Sequence, residues 1–97
     1  MSNKKAAAAG RPVRYLDRAM IATACNIPQI HLQEWIDRFP IEAAVIVAAS
    51  TRPRYGYTLE TVHAWIVERA EAMPQVWDKY LEEFERQHPI LHAWIYE

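Results

Sequence analysis

Arg18-Ala-Met-Ile-Ala-Thr-Ala-Cys-Asn-Ile-Pro-Gln-Ile-His-Leu-Gln-Glu-Trp-Ile-Asp37 is the stretch that decides the fold. Leu16, Ala19, Met20 and Thr23 share one helical face, widened by Ile21, Ala22 and Cys25, so a helix of about two and a half turns is expected. Asn26 suits its end, because asparagine tolerates the left-handed conformation of a helix C-terminus. Pro28 suits the first turn of a second helix, where its missing N–H costs nothing. That helix carries Gln29, Ile30, Leu32, Trp35 and Ile36 to Arg38, and Pro40 ends it.

Two short helices cross steeply only when certain positions are apolar or small. With Arg18 as position one, the apolar positions four, eight, ten, fifteen and eighteen are Ile21, Cys25, Ile27, Leu32 and Trp35. Position five, where the helices touch, is Ala22, and position nine, which wants a residue comfortable at positive φ, is Asn26. The frame is that of a helix-turn-helix between Arg18 and Asp37; an amphipathic helical hairpin in an ordinary core meets the same restrictions. In this frame Gln29, Ile30, Gln33, Glu34 and Asp37 face away from the first helix, flanked by His31 and Arg38. Gln29 and Gln33, one turn apart, suit base edges, since an amide can bond adenine bidentately in the major groove. Glu34 and Asp37 act the other way, because carboxylates repel phosphate.

Downstream, Ile41 to Ser50 mixes helix-favouring Glu-Ala-Ala with strand-favouring Val45-Ile46-Val47, and a strand beginning near Ala44 is expected. Thr51-Arg-Pro-Arg-Tyr-Gly56 is turn chemistry, and a return strand near Tyr57 would close a two-stranded hairpin with Arg52 and Arg54 at its tip. Guanidinium groups there can reach phosphate or enter a narrow minor groove, or stand as ordinary exposed charges. Thr58 is a fitting N-cap for a helix from Leu59 to about Ala72.

This order, with Tyr55-Gly56-Tyr57-Thr58-Leu59-Glu60 after the hairpin and Val62 and Ile66 on the following helix, resembles the MerR-like winged helix. Relatives of that architecture include phage excisionases, AlpA- and Cox-like regulators and the DNA-binding domain of some terminase small subunits. The resemblance covers roughly Leu16 to Ala70. It implies a recognition helix served by Gln29, Gln33 and Arg38, and a wing served by Arg52, Arg54 and Tyr55. The chain differs from the family in the longer Phe39 to Ser50 and in Thr58, where an arginine often follows the Gly-Tyr pair.

Outside this region, residues 1–14 read as a mobile basic arm, either DNA-contacting or merely solubilising. Pro74 opens a helix with Val76, Trp77, Tyr80, Leu81 and Phe84 as its apolar stripe. Pro89 is expected to break it before a last short segment holding Ile90, Leu91, Trp94, Ile95 and Tyr96. Residues 73–97 are thus a C-terminal extension to a winged domain spanning 15–72. Its aromatic residues are more than a core this small needs, so they pack either on the helix-turn-helix or on a second copy or another protein. His88 and His92 have helical metal-ligand spacing, but the expected break at Pro89 separates them, and neither a metal nor another cofactor is expected.

Composition sets the remaining bounds. With 97 residues, 52% hydrophobic, one domain is expected. Cys25 is the only cysteine, which excludes an intramolecular disulfide and a thiolate-rich metal site and points to the cytosol. No apolar run nears the roughly 20 residues of a membrane span. The net charge of −1 conceals an asymmetry: residues 1–58 carry +4 and residues 59–97 carry −5, so the first half suits phosphate and the second does not. No phosphate loop, nucleophile elbow or catalytic set is present, and the chain reads as no enzyme. The expectation is a mostly α fold with a small β-hairpin, a winged helix-turn-helix followed by C-terminal helices. Such a protein would bind double-stranded DNA sequence-specifically as a homodimer, regulating transcription or acting as an excisionase-type architectural factor. The competing expectation is a protein-interaction module or inhibitor using the acidic, Trp-rich half.

Overall fold

Asn26 sits at φ 59° and ψ 45°, the one positive-φ residue other than glycine among those described. The computed structural model describes residues 14–42, 45–48 and 54–96. Helix α1 (Arg18–Cys25) ends at this asparagine. The Asn26 N–H donates to the Thr23 carbonyl at 3.2 Å and the Ile27 N–H to the Ala22 carbonyl at 3.0 Å. These paired bonds satisfy carbonyls that a helix end otherwise leaves without partners, and the buried Ile27 and Ala22 lie at their two ends. Three residues after α1, helix α2 (Gln29–Arg38) begins, with Pro28 at its N-cap and Phe39 at its C-cap.

The turn depends on a backbone conformation that a Cβ-branched residue resists. Asn26→Gly should therefore leave stability within a few tenths of a kcal/mol, whereas Asn26→Val should lower it by about 1–2 kcal/mol. Equilibrium denaturation of the two variants measures the difference.

At its other end α1 is capped by Asp17, whose carboxylate accepts from the Met20 N–H at 2.9 Å. Strands β1 (Val45–Ala48) and β2 (Arg54–Gly56) pair antiparallel, with Val45 opposite Gly56, Ile46 opposite Tyr55 and Ala48 opposite Arg54, and an irregularity between Ile46 and Ala48. The connection that would make them a hairpin, 49–53, lies outside the described residues. Tyr57, expected to open the return strand, instead follows β2 and exchanges two backbone bonds with Leu16, at 2.8 and 2.9 Å. These tie the entry to α1 to the end of the strand pair.

Helix α3 (Leu59–Ala72) has the expected boundaries: the Thr58 hydroxyl accepts from the Thr61 N–H at 3.2 Å, and Pro74 starts the next helix. Helix α4 departs from expectation. It runs unbroken from Pro74 to Tyr96, with Pro89 inside it. Pro89 cannot donate to the carbonyl of Glu85, but both residues are exposed, so water can serve that carbonyl. Phe84 and Ile95, fully buried on either side of the proline, hold the helix to the core.

The described residues are helical for the most part. Leu16, Ile21, Cys25, Leu32, Leu59, Val62, Ile66, Trp77, Phe84 and Ile95 are almost wholly buried and belong to one hydrophobic cluster. Helix α4 thus contributes Trp77, Phe84 and Ile95 to the core that α1, α2 and α3 share. The surplus of aromatic residues is largely absorbed in the same way. Trp65, Trp77 and Phe84 are buried, and Trp35, Tyr80, Trp94 and Tyr96 pack against the cluster. Trp77 stands edge-on to Trp35 of α2, Trp65 of α3 and Tyr80 of its own helix at 5.4, 5.3 and 5.1 Å between ring centres. The Trp65 indole N–H donates to the Phe39 carbonyl at 2.7 Å, closing the end of α2. Burial pushes the Cys25 thiol up to about 12, so this side chain is a packing element rather than a reactive thiol.

Candidate nucleic-acid interface

Helix α2 buries Leu32 and Ile36 and turns Gln29, Ile30, His31, Glu34, Asp37 and Arg38 to solvent. Ile30 is 68% exposed, an uncommon position for a large apolar side chain on a helix that packs its opposite face. The helix starts without a side-chain cap, and its first backbone bonds run from His31 and Leu32 to the Pro28 carbonyl, both 3.0 Å. Its N-terminal turn therefore presents backbone N–H groups beside Gln29 and Ile30, where the helix dipole favours negative charge.

Gln33 behaves differently from Gln29. It is half-buried, its Oε1 accepts from the Arg18 guanidinium, and its Nε2 donates to the Asp37 carboxylate at 2.7 Å. Both ends of the amide are thus engaged within the protein, in a bridge that links the start of α1 to the last turns of α2. The same bridge holds Asp37 in a hydrogen bond, which moderates one of the two carboxylates expected to oppose phosphate. Arg38 is exposed and lies 5.1 Å over the Trp35 ring, which fixes its guanidinium near the C-terminal end of the helix.

A groove runs from α2 to the strand pair, lined by Tyr15, Arg18, Gln29, Tyr55, Tyr57 and Trp94. Tyr55, 50% exposed, extends from β2 on its far wall. The Arg14 guanidinium lies 5.2 Å over the ring of Trp94, one of the lining residues, and donates to the Trp94 carbonyl. The C-terminal helix thus holds the beginning of the described chain, and Arg18 lines the groove together with Gln29 and Tyr55.

Of the residues expected to form the site, the structure brings Gln29 and Tyr55 to one groove and keeps Ile30, His31 and Arg38 exposed on the adjoining helix face. Gln33 is tied back. Arg54 stands in β2 opposite Ala48, and Arg52 lies outside the described residues. Arg18, Arg14 and Trp94 were not singled out as site residues. Their roles arise from contacts spanning 15 residues between Arg18 and Gln33 and 80 between Arg14 and Trp94, for which local spacing carries no signal. Among the described residues no helix is long and apolar enough to cross a membrane. Comparison with family models, curated proteins and solved structures finds no match to this chain.

Proposed function

We propose that this chain binds double-stranded DNA sequence-specifically through a winged helix-turn-helix, with α2 as the recognition helix, and acts as a transcription regulator or excisionase-type architectural factor. The observation that carries the reading is the left-handed turn at Asn26, which joins two short packed helices and leaves the N-terminal turn of the second open to solvent with Gln29, Ile30 and His31 on it. An antiparallel strand pair follows and reaches the same groove through Tyr55. The positive charge of residues 1–58 favours approach to phosphate.

In this reading Gln29 contacts a base edge, and Ile30 suits the methyl group of thymine. Gln33 acts as a positioning residue between Arg18 and Asp37. Arg38 and the wing residues Arg52, Arg54 and Tyr55 contact backbone. The proposal does not need a second copy, since the aromatic residues that suggested a homodimer interface lie largely within the core.

Selection from a random duplex pool, followed by titration at several salt concentrations, tests the reading. A preferred sequence should emerge. Gln29→Ala should weaken binding to it by about 1–3 kcal/mol and relax the preference at one position. Arg52→Ala with Arg54→Ala should weaken binding to all duplexes and flatten the salt slope. Indifference of the intact chain to DNA at low salt would refute the proposal and favour the protein-interaction reading.

A further inference from the structure

The groove beside α2 has aromatic walls. Tyr15, Tyr55, Tyr57 and Trp94 line it with Arg18 and Gln29, and its volume of about 840 Å³ lies within the roughly 300–1,000 Å³ of sites that hold a small organic group. Tyr57 is buried, Tyr15 and Trp94 are half-buried and Tyr55 is 50% exposed, so Tyr55 offers the most accessible ring. Positive charge accompanies the rings. Arg18 donates to Gln33 and has further N–H groups on the same guanidinium, and Arg14 sets its charge 5.2 Å over the Trp94 ring. Asp17 is the one carboxylate among the described lining residues, and it accepts from the Met20 N–H as the N-cap of α1.

We propose that this groove receives an unpaired nucleotide of a DNA strand, its base stacked on the Tyr55 ring and its phosphate beside Arg18. The Tyr55 hydroxyl stays available for the backbone contact assigned to it. The inference rests on the DNA-binding reading and deepens it: the preferred ligand is a duplex with one base out of the stack.

A paired base has both faces covered by its neighbours and offers only its edge, so an aromatic wall cannot use it. An unpaired base exposes its faces, and stacking tolerates any sequence because every base has one. Charge argues for a nucleic-acid strand over an apolar peptide, which would leave the guanidinium groups without a complement; residues 1–58 as a whole carry +4. Gln29 lies both on the groove and on the first turn of α2, so a nucleotide displaced beside the recognition helix meets the groove there.

The test uses the intact chain and duplexes of its selected sequence, each carrying one unpaired thymine at a different position across the site or at an end. At one placement binding should tighten by at least about fivefold over the fully paired duplex, the lower end of what one stacked base supplies. An abasic residue at the same place keeps the flexibility and the phosphate but has no base, and should give no gain. Tyr55→Ala should abolish the gain and Tyr55→Phe should keep it, each read as the ratio of unpaired to paired affinity, so that a lost backbone contact cancels. Tyr55 is exposed, so both variants should retain the circular dichroism spectrum of the unaltered chain. A gain that survives in Tyr55→Ala or with the abasic residue overturns the inference. Binding of the paired duplex with no favoured placement also overturns it and leaves the DNA reading standing, whereas indifference to every duplex overturns both.

Discussion

Replacing Trp77 with alanine should cost about 3–5 kcal/mol of folding free energy, the usual penalty for emptying a buried tryptophan site. A domain of this size has about 5–15 kcal/mol in total, so the variant should approach the limit of stability, with a melting temperature lower by more than about 10 °C. The size of the effect follows from position. Trp77 is fully buried near the start of α4 and touches a ring on α2, a ring on α3 and Tyr80 one turn on. Edge-to-face pairs of this kind add about 0.5–1.5 kcal/mol each beyond the area they bury. Trp77→Phe should be much milder. The indole N–H of Trp77 is buried without a hydrogen-bond acceptor, and phenylalanine removes that uncompensated donor while keeping most of the ring. Urea denaturation of both variants separates the contributions. Equal losses would mean that the site requires the full indole shape and that a smaller aromatic ring does not fill it.

Trp77 also links the core to the proposed recognition helix. Trp35, its neighbour on α2, stacks on Phe39 at 6.1 Å and carries Arg38 on its ring. Arg69 of α3 lies 4.3 Å over Phe39, and the Trp65 N–H binds the Phe39 carbonyl. The C-terminal end of α2 is therefore fixed by a group of rings, whereas its N-terminal end is open. A reading helix needs this asymmetry, with one end held by the scaffold and the other free to meet a ligand.

How much of this was legible in sequence depends on the distance over which each feature is determined. The turn at Asn26 and the start of α3 at Thr58 were legible because each is a local contest between a few backbone groups and one side chain. The apolar positions Ile21, Cys25, Ile27 and Leu32 were legible through helical spacing, and all four are buried. Gln33 looked equivalent to Gln29 because both lie one turn apart on an exposed stripe. The difference comes from Arg18, which becomes a neighbour only once α1 folds back on α2. The aromatic excess was ambiguous for a related reason. Composition shows how much apolar surface exists, but whether it is covered within the chain depends on the path of α4.

Pro89→Ala should raise stability, by up to about 3 kcal/mol, the cost of a proline in a helix interior. The native helix continues through the proline because tertiary burial outweighs a local penalty. Phe84 lies before it and Ile95 after it, both fully buried, and breaking the helix would expose one or the other. A break would thus forfeit about 1.5–3 kcal/mol for each large apolar side chain released, comparable with the penalty it relieves. The alanine variant restores the missing N–H to Glu85 and removes the ring's clash with that carbonyl. At about 4–8 °C per kcal/mol for a chain this long, the gain should be plain in a thermal melt. A gain nearer 1 kcal/mol would mean that solvation of the Glu85 carbonyl makes up most of the lost bond. Loss of stability would mean instead that the core is packed around a bend imposed by the proline.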